Sequence, residues 1–517
     1  MEKDGHNIPF ETFLGFNVEK VPDIDLNFSG QTQLKMHDFV RTLFGINKTF
    51  RAGTILTNAE KTVYGLARKL GEYRARLDPK FDLNREVSYF TSAFLDFLAT
   101  KAQGVKRTSG KHAGGIIVIP QNQEIEDFTP INYPANNEKS DWKTTHFDYN
   151  ALHDNLLKLD ILGHDDPTIL LHLEKLTNIK SDEIPKSDPK ILSLFRSCKE
   201  LGISSDQILG EVTGTIGIPE FGTQFVRKML QIAQVKSFAD IVAICGLAHG
   251  TGVWQDNAEK LILEKKHVIN ELISCRDDIM IYLLQKNIDH QVAFNIMENV
   301  RKGKGLTDQE KELLELKKVP SWYIESLQKI GYLFPKAHAV AYAMKAWKIA
   351  YFKLYHPLAF YSSYFSIRPD VKDLETLIQP VEKIREKISI LNKKRLESQK
   401  GIQQLSAKEK DLIQFLEISL ELKSRGFEIE KVSLEKSEAQ EWIINKENNS
   451  LIPPFIAIDG IGDVNARKIV QARNLRPFSS IEDFEKRTET NSTSLKKLKE
   501  LGIFDKISKS AQVNIFD

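Results

Sequence analysis

The stretch Val21-Pro22-Asp23-Ile24-Asp25-Leu26-Asn27-Phe28 alternates apolar and polar side chains with a period of two. That is the pattern of a half-buried strand. Ile24, Leu26 and Phe28 fall on one face, and Asp23, Asp25 and Asn27 on the other. Two carboxylates on one face of an apolar segment repel each other and are poorly solvated. They stay ionised when a cation sits between them. The pattern predicts a strand whose polar face holds a divalent metal. For an isolated Asp-x-Asp the alternative is an exposed pair of aspartates at a strand end.

A second strand of the same kind reads Leu157-Lys158-Leu159-Asp160-Ile161. Here Lys158 and Asp160 share the polar face, and Gly163 follows to turn the chain. Three aspartates on neighbouring strands can hold two Mg²⁺ ions, roughly 3.5–4 Å apart, for a phosphoryl transfer. Taken alone, Asp160 fits a helix N-cap or a salt-bridge partner equally well.

The rest of the chain sets these strands in a mixed architecture. Its 517 residues predict roughly two to four domains. Residues 31–100 read as mainly helical, with strand character returning at Gly115–Ile119 and Leu156–Leu162. The helical block therefore reads as an insertion between strands of one sheet. After Pro167 the chain is mostly helical to about Pro369. Residues 370–450 read as charged helices with a short strand-like patch, 451–505 as a compact helical module and 511–517 as a tail. No apolar run is long enough to span a membrane, and no secretory signal opens the chain. Three cysteines, none spaced as a metal knuckle, suit a reducing cytoplasm. The net charge of +2 does not mark a nucleic-acid binder, so that case rests on local patches.

Several patches carry such chemistry. Lys106-Arg107-Thr108-Ser109-Gly110-Lys111-His112-Ala113-Gly114-Gly115 combines cations, hydroxyls and glycines, as a phosphate-cradling loop does. Its order is not that of a Walker A loop, and a solvated basic turn has the same composition. Arg301, Lys302 and Lys304 stand on a glycine-punctuated segment. Phe334-Pro335-Lys336-Ala337-His338-Ala339 opens an alanine-rich helix on which His338, Tyr342 and Lys345 share a face, suited to a triphosphate and a stacked base. Cys275-Arg276-Asp277-Asp278 reads as a helix cap with charge pairs. Ile458-Asp459-Gly460-Ile461-Gly462-Asp463 leading into Arg467 and Lys468 is a helix-hairpin-helix pattern, whose exposed N–H groups can hold a DNA phosphate. The tail Gln512-Val513-Asn514-Ile515-Phe516 has the make-up of a docking peptide.

In this order the stretches resemble one family, the C-family replicative DNA polymerases, specifically the alpha subunit of DNA polymerase III of the PolC type. Pro22 through Gly30, Arg51-Ala-Gly-Thr54, Lys106-Arg-Thr108, Gly114-Gly115 and His146-Phe-Asp148 carry the likeness. So do Leu156 through Pro167, Gly217 through Thr223, His249-Gly-Thr251, Cys275 through Met280, Val300 through Leu306 and Phe334 through Ala339.

The resemblance implies an α+β, multidomain fold. A partial pol-beta-like palm sheet would occupy residues 1–30 and 106–165, with a helical thumb insertion at 31–105. Large, mainly helical fingers would follow at 166–395, then a duplex-binding module with the helix-hairpin-helix at 396–510 and a clamp-binding tail at 511–517. It implies that Asp23, Asp25 and Asp160 are catalytic and hold two Mg²⁺ ions. Lys158, Arg276, Arg301, Lys302, Lys304, Lys336 and His338 would face the deoxynucleoside triphosphate. Lys106, Arg107, Lys111, Gly460, Gly462, Arg467 and Lys468 would face primer–template DNA. Gln512, Ile515 and Phe516 would dock on a sliding clamp, with Ile515 replacing the usual Leu.

Relatives of this type are far longer. Upstream they carry a PHP domain split by an exonuclease and a palm segment with a Gly-Ser motif, and this sequence resembles their carboxy-terminal portion. The expectation is a DNA-templated DNA polymerase that needs a separate chain carrying that upstream segment. The alternative is a non-catalytic DNA- and clamp-binding fragment.

Overall fold

The computed structural model describes residues 2–16, 23–77, 92–134, 137–152, 156–264, 266–368, 373–399 and 405–509. Val21, Pro22 and the tail residues Gln512, Ile515 and Phe516 lie outside them. The chain first pairs with itself. Strands β1 (Glu2–Lys3) and β2 (His6–Asn7) form a hairpin turned at Asp4-Gly5, both with positive φ, the Asp-Gly turn that suits the twist of a two-residue hairpin. Ile8 behind it is fully buried, and Thr12 donates to Asp277 Oδ1 at 3.1 Å. Residues Met1–Thr12 thus belong to a unit with Asp165–Asp517, and Phe13–His164 form a second unit. The stretch 1–30, read above as one piece of the sheet, divides between the two.

The second unit is built on a six-stranded mixed sheet in the order β3-β8-β5-β4-β7-β6. Its strands are β3 (Asp23–Phe28), β4 (Thr49–Thr57), β5 (Lys106–Val118), β6 (Ile131–Asn132), β7 (Thr144–Asp148) and β8 (Leu157–Gly163). The period-two pattern places two apolar layers. Ile116, Val118, Leu159 and Ile161 pack on one face with Ile24, Phe28 and Val40. Val40 and Met36 come from helix α1 (Gln33–Phe44), which covers that face. On the other face Phe50, Ala52, Ile117 and Ile119 pack with Leu152 and Leu156. Each fully buried Ile contributes about 1.5–3 kcal/mol by leaving water.

Two readings need correction here. Residues 31–105 are not one helical block, because 49–57 is a strand paired with both β5 and β7. The helical insertion shortens to α2 (Glu60–Leu77) and α3 (Ser92–Ala102), between β4 and β5. The buried Arg51 in Thr-Phe-Arg-Ala-Gly-Thr breaks the apolar pattern and hid the strand. Second, Lys106–Gly115 is not a loop. It is most of β5, held in extended form by pairing Thr108 with Leu56, Ser109 with Ile55 and Gly110 with Thr54.

The other unit is mainly helical. Its helices include α4 (Asp165–Thr177), α5 (Phe238–His249), α6 (Arg276–Gln285), α7 (His290–Arg301) and α8 (Lys336–Tyr355). Helices α9 (Val381–Gln399) and α10 (Ala407–Ser424) follow, the latter opened by a Ser406–Glu409 capping box. The boundary read at residue 395 therefore falls inside α9. A small sheet of β9 (Glu428–Ile429), β10 (Ile443–Asn445) and β11 (Ser450–Ile452) leads to helices α11 (Asp463–Leu475), α12 (Ile481–Thr488) and α13 (Ser492–Glu500). Among the described residues no helix is long and apolar enough to cross a membrane.

Candidate active site

Strands β3 and β8 run parallel, with Asp25 opposite Asp160 and Asp23 opposite Lys158. Residues paired across adjacent strands project to the same face, so Asp25 and Asp160 stand side by side. Asp25 is exposed and Asp160 half-buried. Asp23 holds its place in backbone register. The same face carries Lys158, which is 2% exposed and lies 4.1 Å from the centre of the Tyr149 ring. A cation over an aromatic face is held by the ring quadrupole.

The floor beneath Asp160 is a bulge in β5. The β4–β5 ladder pairs Arg51 with Ile116 and then Gly53 with Lys111, so residues 112–115 face Ala52 alone. Within the bulge, His112 Nδ1 accepts from the Gly115 N–H at 2.8 Å. That bond leaves Nε2 to carry the proton of a neutral ring. The 3.8 Å approach of His112 Nδ1 to Asp160 Oδ1 is therefore a contact, not a hydrogen bond. The ring stacks on Tyr149 with centroids 4.6 Å apart.

Gly114 lies so close beneath the carboxylate that a Cβ there would sit 2.2 Å from Asp160 Oδ1. The site thus sets hard oxygen donors from two adjacent strands over a cradle that only glycine leaves open. This donor set fits Mg²⁺, which favours carboxylate ligands. Among the described residues no group of three or more His, Cys, Asp or Glu forms a closed metal site. Lys106, Arg107 and Lys111 are exposed along β5 ahead of the bulge.

In the helical unit, four of the sequence stretches converge. The Thr251 N–H donates to Tyr332 O at 2.9 Å and the Gly331 N–H to Thr251 O at 2.8 Å. Gly303, with φ of 72°, packs against Gly331, where a Cβ would meet its carbonyl oxygen at 2.6 Å. The Arg276 N–H donates to Phe334 O at 3.2 Å. Cys275 is the N-cap of α6, and Asp278 completes its capping box, as the charge-pair reading expects.

The cations there are matched by carboxylates. Arg301 forms a two-pronged pair with Glu298 at 2.5 and 2.9 Å, and Lys302 reaches the same carboxylate at 3.2 Å. Lys336 Nζ lies 3.0 Å from Asp278 Oδ1. Burial opposes its charge, but Asp278 holds its pKa above the ordinary lysine value. Burial pushes Arg276 down. Lys304 is exposed, and His338 packs edge-on to Phe334 at 5.6 Å.

Sequence reasoning missed Glu220 and His249 as a pair. His249 Nδ1 donates to Cys245 O at 2.7 Å, and Nε2 lies 3.0 Å from Glu220 Oε2. Both ring nitrogens face acceptors, so the ring is an imidazolium. Contacts with the Cys245 side chain and the Glu220 carboxylate push its pKa up to about 10. It stacks on Phe334 at 4.5 Å, and beyond it Lys345 lies 3.9 Å over Tyr342. The available signal was Gly217-Ile-Pro-Glu-Phe-Gly, a turn that sets one acid in an otherwise apolar loop.

In the C-terminal module Gly460 takes φ of 86°, and Gly462 is the N-cap of α11. Only glycine adopts the first conformation without strain. Arg467 pairs with Asp463 at 2.8 Å and Lys468 with Glu489 at 2.6 Å.

Residues 2–163 match the family described as bacterial DNA polymerase III alpha NTPase domain. Residues 166–318 match the bacterial DNA polymerase III alpha subunit finger domain, and 426–513 a helix-hairpin-helix motif. The chain is 52% identical over 513 residues to the DNA polymerase III PolC-type of Mycoplasmopsis pulmonis, covering 99% of this chain and 35% of that protein. It is 47% identical over 514 residues to that of Halalkalibacterium halodurans, covering 99% and 34%. For the protein of Bacillus subtilis the figures are 46% over 516 residues, covering 100% and 34%. The chain spans about a third of the length of the curated relatives it matches. Three consecutive domain matches and near-complete coverage of this chain lead to one conclusion: it belongs to the PolC-type DNA polymerase III family.

Proposed function

We propose that the chain carries the nucleotidyl-transfer portion of a DNA-templated DNA polymerase, extending a primer 3′-hydroxyl with deoxynucleoside triphosphates. The observation that carries this is the register of Asp25 with Asp160 on parallel strands, above the Gly114 cradle. Asp23, Asp25 and Asp160 would hold two Mg²⁺ ions. Bound Mg²⁺ supplies charge neutralisation for the attacking and leaving oxygens. The chain's own share is positioning and electrostatics. Asp25 and Asp160 project from a rigid sheet rather than a loop. Lys158, anchored on Tyr149, adds positive charge on the same face. In the helical unit Arg276, Arg301, Lys302, Lys304, Lys336 and His338 would meet the triphosphate.

In this reading the sheet unit is a partial palm with a thumb at α2 and α3, and residues 166–395 are the fingers. The module around Gly460, Gly462, Arg467 and Lys468 grips duplex DNA through its backbone, together with Lys106, Arg107 and Lys111. Gln512, Ile515 and Phe516 dock on a sliding clamp. The setting is cytoplasmic, in keeping with three free cysteines.

Among the described residues β3 ends the strand order of its sheet. The relatives are about three times longer, so activity is expected to need the upstream segment that they carry beyond this stretch. The same observations favour one second reading, a DNA- and clamp-binding fragment without catalysis. Mg²⁺-dependent primer extension with the upstream segment supplied separates the two. Asp25→Asn or Asp160→Asn should lower the rate ~10²–10³-fold or more, the range for losing one preorganised electrostatic group. Extension that survives either substitution rules out the enzyme reading.

A further inference from the structure

The bulge at residues 112–115 leaves carbonyl groups without ladder partners. Backbone acceptors in a sheet interior must be satisfied elsewhere. The β5–β8 ladder ends at the pair Gly115–Asp160. Ile161 O, one residue further, takes hydrogen bonds from His37 Nε2 at 3.0 Å and Gln33 Nε2 at 2.9 Å. Within the bulge, Arg51 Nη2 donates to His112 O and, at 2.8 Å, to Ala113 O. Gln33 Nε2 also reaches Ala113 O at 3.3 Å. Arg51 Nη1 donates to His37 Nδ1, which ties the set together. Gln33 and His37 lie one turn apart on α1, and Arg51 lies on β4.

We infer that His37, with Gln33 and Arg51, is a positioning residue that fixes the Asp160 carboxylate against the Gly114 backbone. The inference rests on the nucleotidyl-transfer reading of Asp25 and Asp160. The carbonyls that the brace holds flank the two groups that matter. Ile161 follows Asp160, and Ala113 precedes Gly114. Without the brace the bulge can relax away from β8, and Asp160 loses the floor that sets its place beside Asp25.

The geometry also selects one form of the ring. Nδ1 accepts from a guanidinium that cannot give up its proton, so Nε2 bears the hydrogen that reaches Ile161 O. His37 and Arg51 are both buried. Burial pushes His37 below the ordinary histidine pKa, in keeping with a neutral ring. Such supports around metal ligands are worth about 10–100-fold in metal affinity.

The test uses the full chain, with Mn²⁺ alone as the probe followed by electron paramagnetic resonance, and thermal unfolding as a check on folding. Asp160→Asn should abolish high-affinity binding. His37→Leu, which can neither accept nor donate, should weaken it about 10-fold or more. His37→Gln offers an amide oxygen to Arg51 and an amide N–H to Ile161 O, and should stay within about threefold of wild type, well short of that loss. Wild-type affinity in a folded His37→Leu overturns the inference and leaves the acidic site standing. Wild-type affinity in Asp160→Asn, or no binding by the wild type, sinks the metal reading and the brace with it. If His37→Leu does not fold, Gln33→Leu at the half-buried start of α1 decides, with several-fold weaker binding expected, below the full loss above. Unchanged affinity there overturns the inference. Separately, ¹⁵N spectra of labelled histidine, with His37 assigned by its loss in His37→Gln, should show a neutral Nε2–H ring. An Nδ1–H or doubly protonated ring overturns it.

Discussion

A Cβ added at Gly114 would sit 2.2 Å from Asp160 Oδ1, 2.6 Å from Leu162 Cδ2 and 2.8 Å from the Ile161 carbonyl oxygen. All three neighbours belong to β8, at the acidic residue or within two positions of it, and one is backbone that cannot rotate aside. Gly114→Ala should therefore destabilise the sheet unit by about 1–3 kcal/mol, the cost of overpacking a filled site. Gly110 lies on the same strand, but its nearest neighbour would be the flexible tip of Leu56 at 3.2 Å. Gly110→Ala should change stability by less than about 1 kcal/mol. Urea unfolding of the two variants measures the contrast, and equal effects would remove the argument for a tight cradle. At this scale the polar faces were legible in the sequence, because alternation groups Asp23 with Asp25 on one strand and Lys158 with Asp160 on another; the β3–β8 register then sets Asp25 beside Asp160. Gln33, His37 and Arg51 were not. They meet only across a bulge, and nothing in their local sequence separates a bracing His from any other helical His.

Among elements, periodicity located β3, β8 and the alanine-rich α8, where local pattern and tertiary setting agree. It failed at β4, where a buried arginine sits in the middle of the strand, and at β5, where glycines and cations imitate a loop. Cross-strand pairing decided both. The pairing of α5 with the loop 213–223 was equally hidden, since Glu220 and His249 are far apart in sequence. Their link predicts a pH dependence. Free histidine titrates near 6.5, whereas His249 is raised to about 10. Between those values the folded chain binds a proton that the unfolded chain has released. Stability from this pair is complete below about pH 6.5 and is lost as pH rises through about 10. The histidine is about a third exposed, so a loss on the order of 2 kcal/mol is expected. Unfolding free energies measured from pH 6 to 10 should fall in the wild type and stay flatter in His249→Gln. A slope unchanged by that substitution would remove the imidazolium assignment.

For the whole molecule, charge distribution matters more than total charge. The chain carries 72 basic and 70 acidic residues. The segment from Gly460 to Ser510 holds eleven Lys or Arg against seven Asp or Glu, a local excess of four. Much of that excess is already engaged within the fold. Arg467 pairs with Asp463, Lys468 with Glu489, Arg473 with Glu438, and Arg476 and Arg487 with Asp483. A DNA phosphate must compete with these carboxylates, so backbone N–H groups at the Gly460–Gly462 turn should carry a large share of the contact. Two measurable consequences follow for duplex binding by the full chain, read by fluorescence anisotropy on a primer–template. The log–log dependence of affinity on salt should have a shallow slope of about −3 to −5, because few counterions are released. Gly460→Val should weaken binding about tenfold or more, since a β-branched residue is strained at a φ of 86°. Asp25→Asn should leave the same affinity unchanged, because the role proposed for that residue is chemistry rather than grip. A steep slope near −10 together with an unaffected Gly460→Val would transfer the grip to scattered lysines and away from the hairpin.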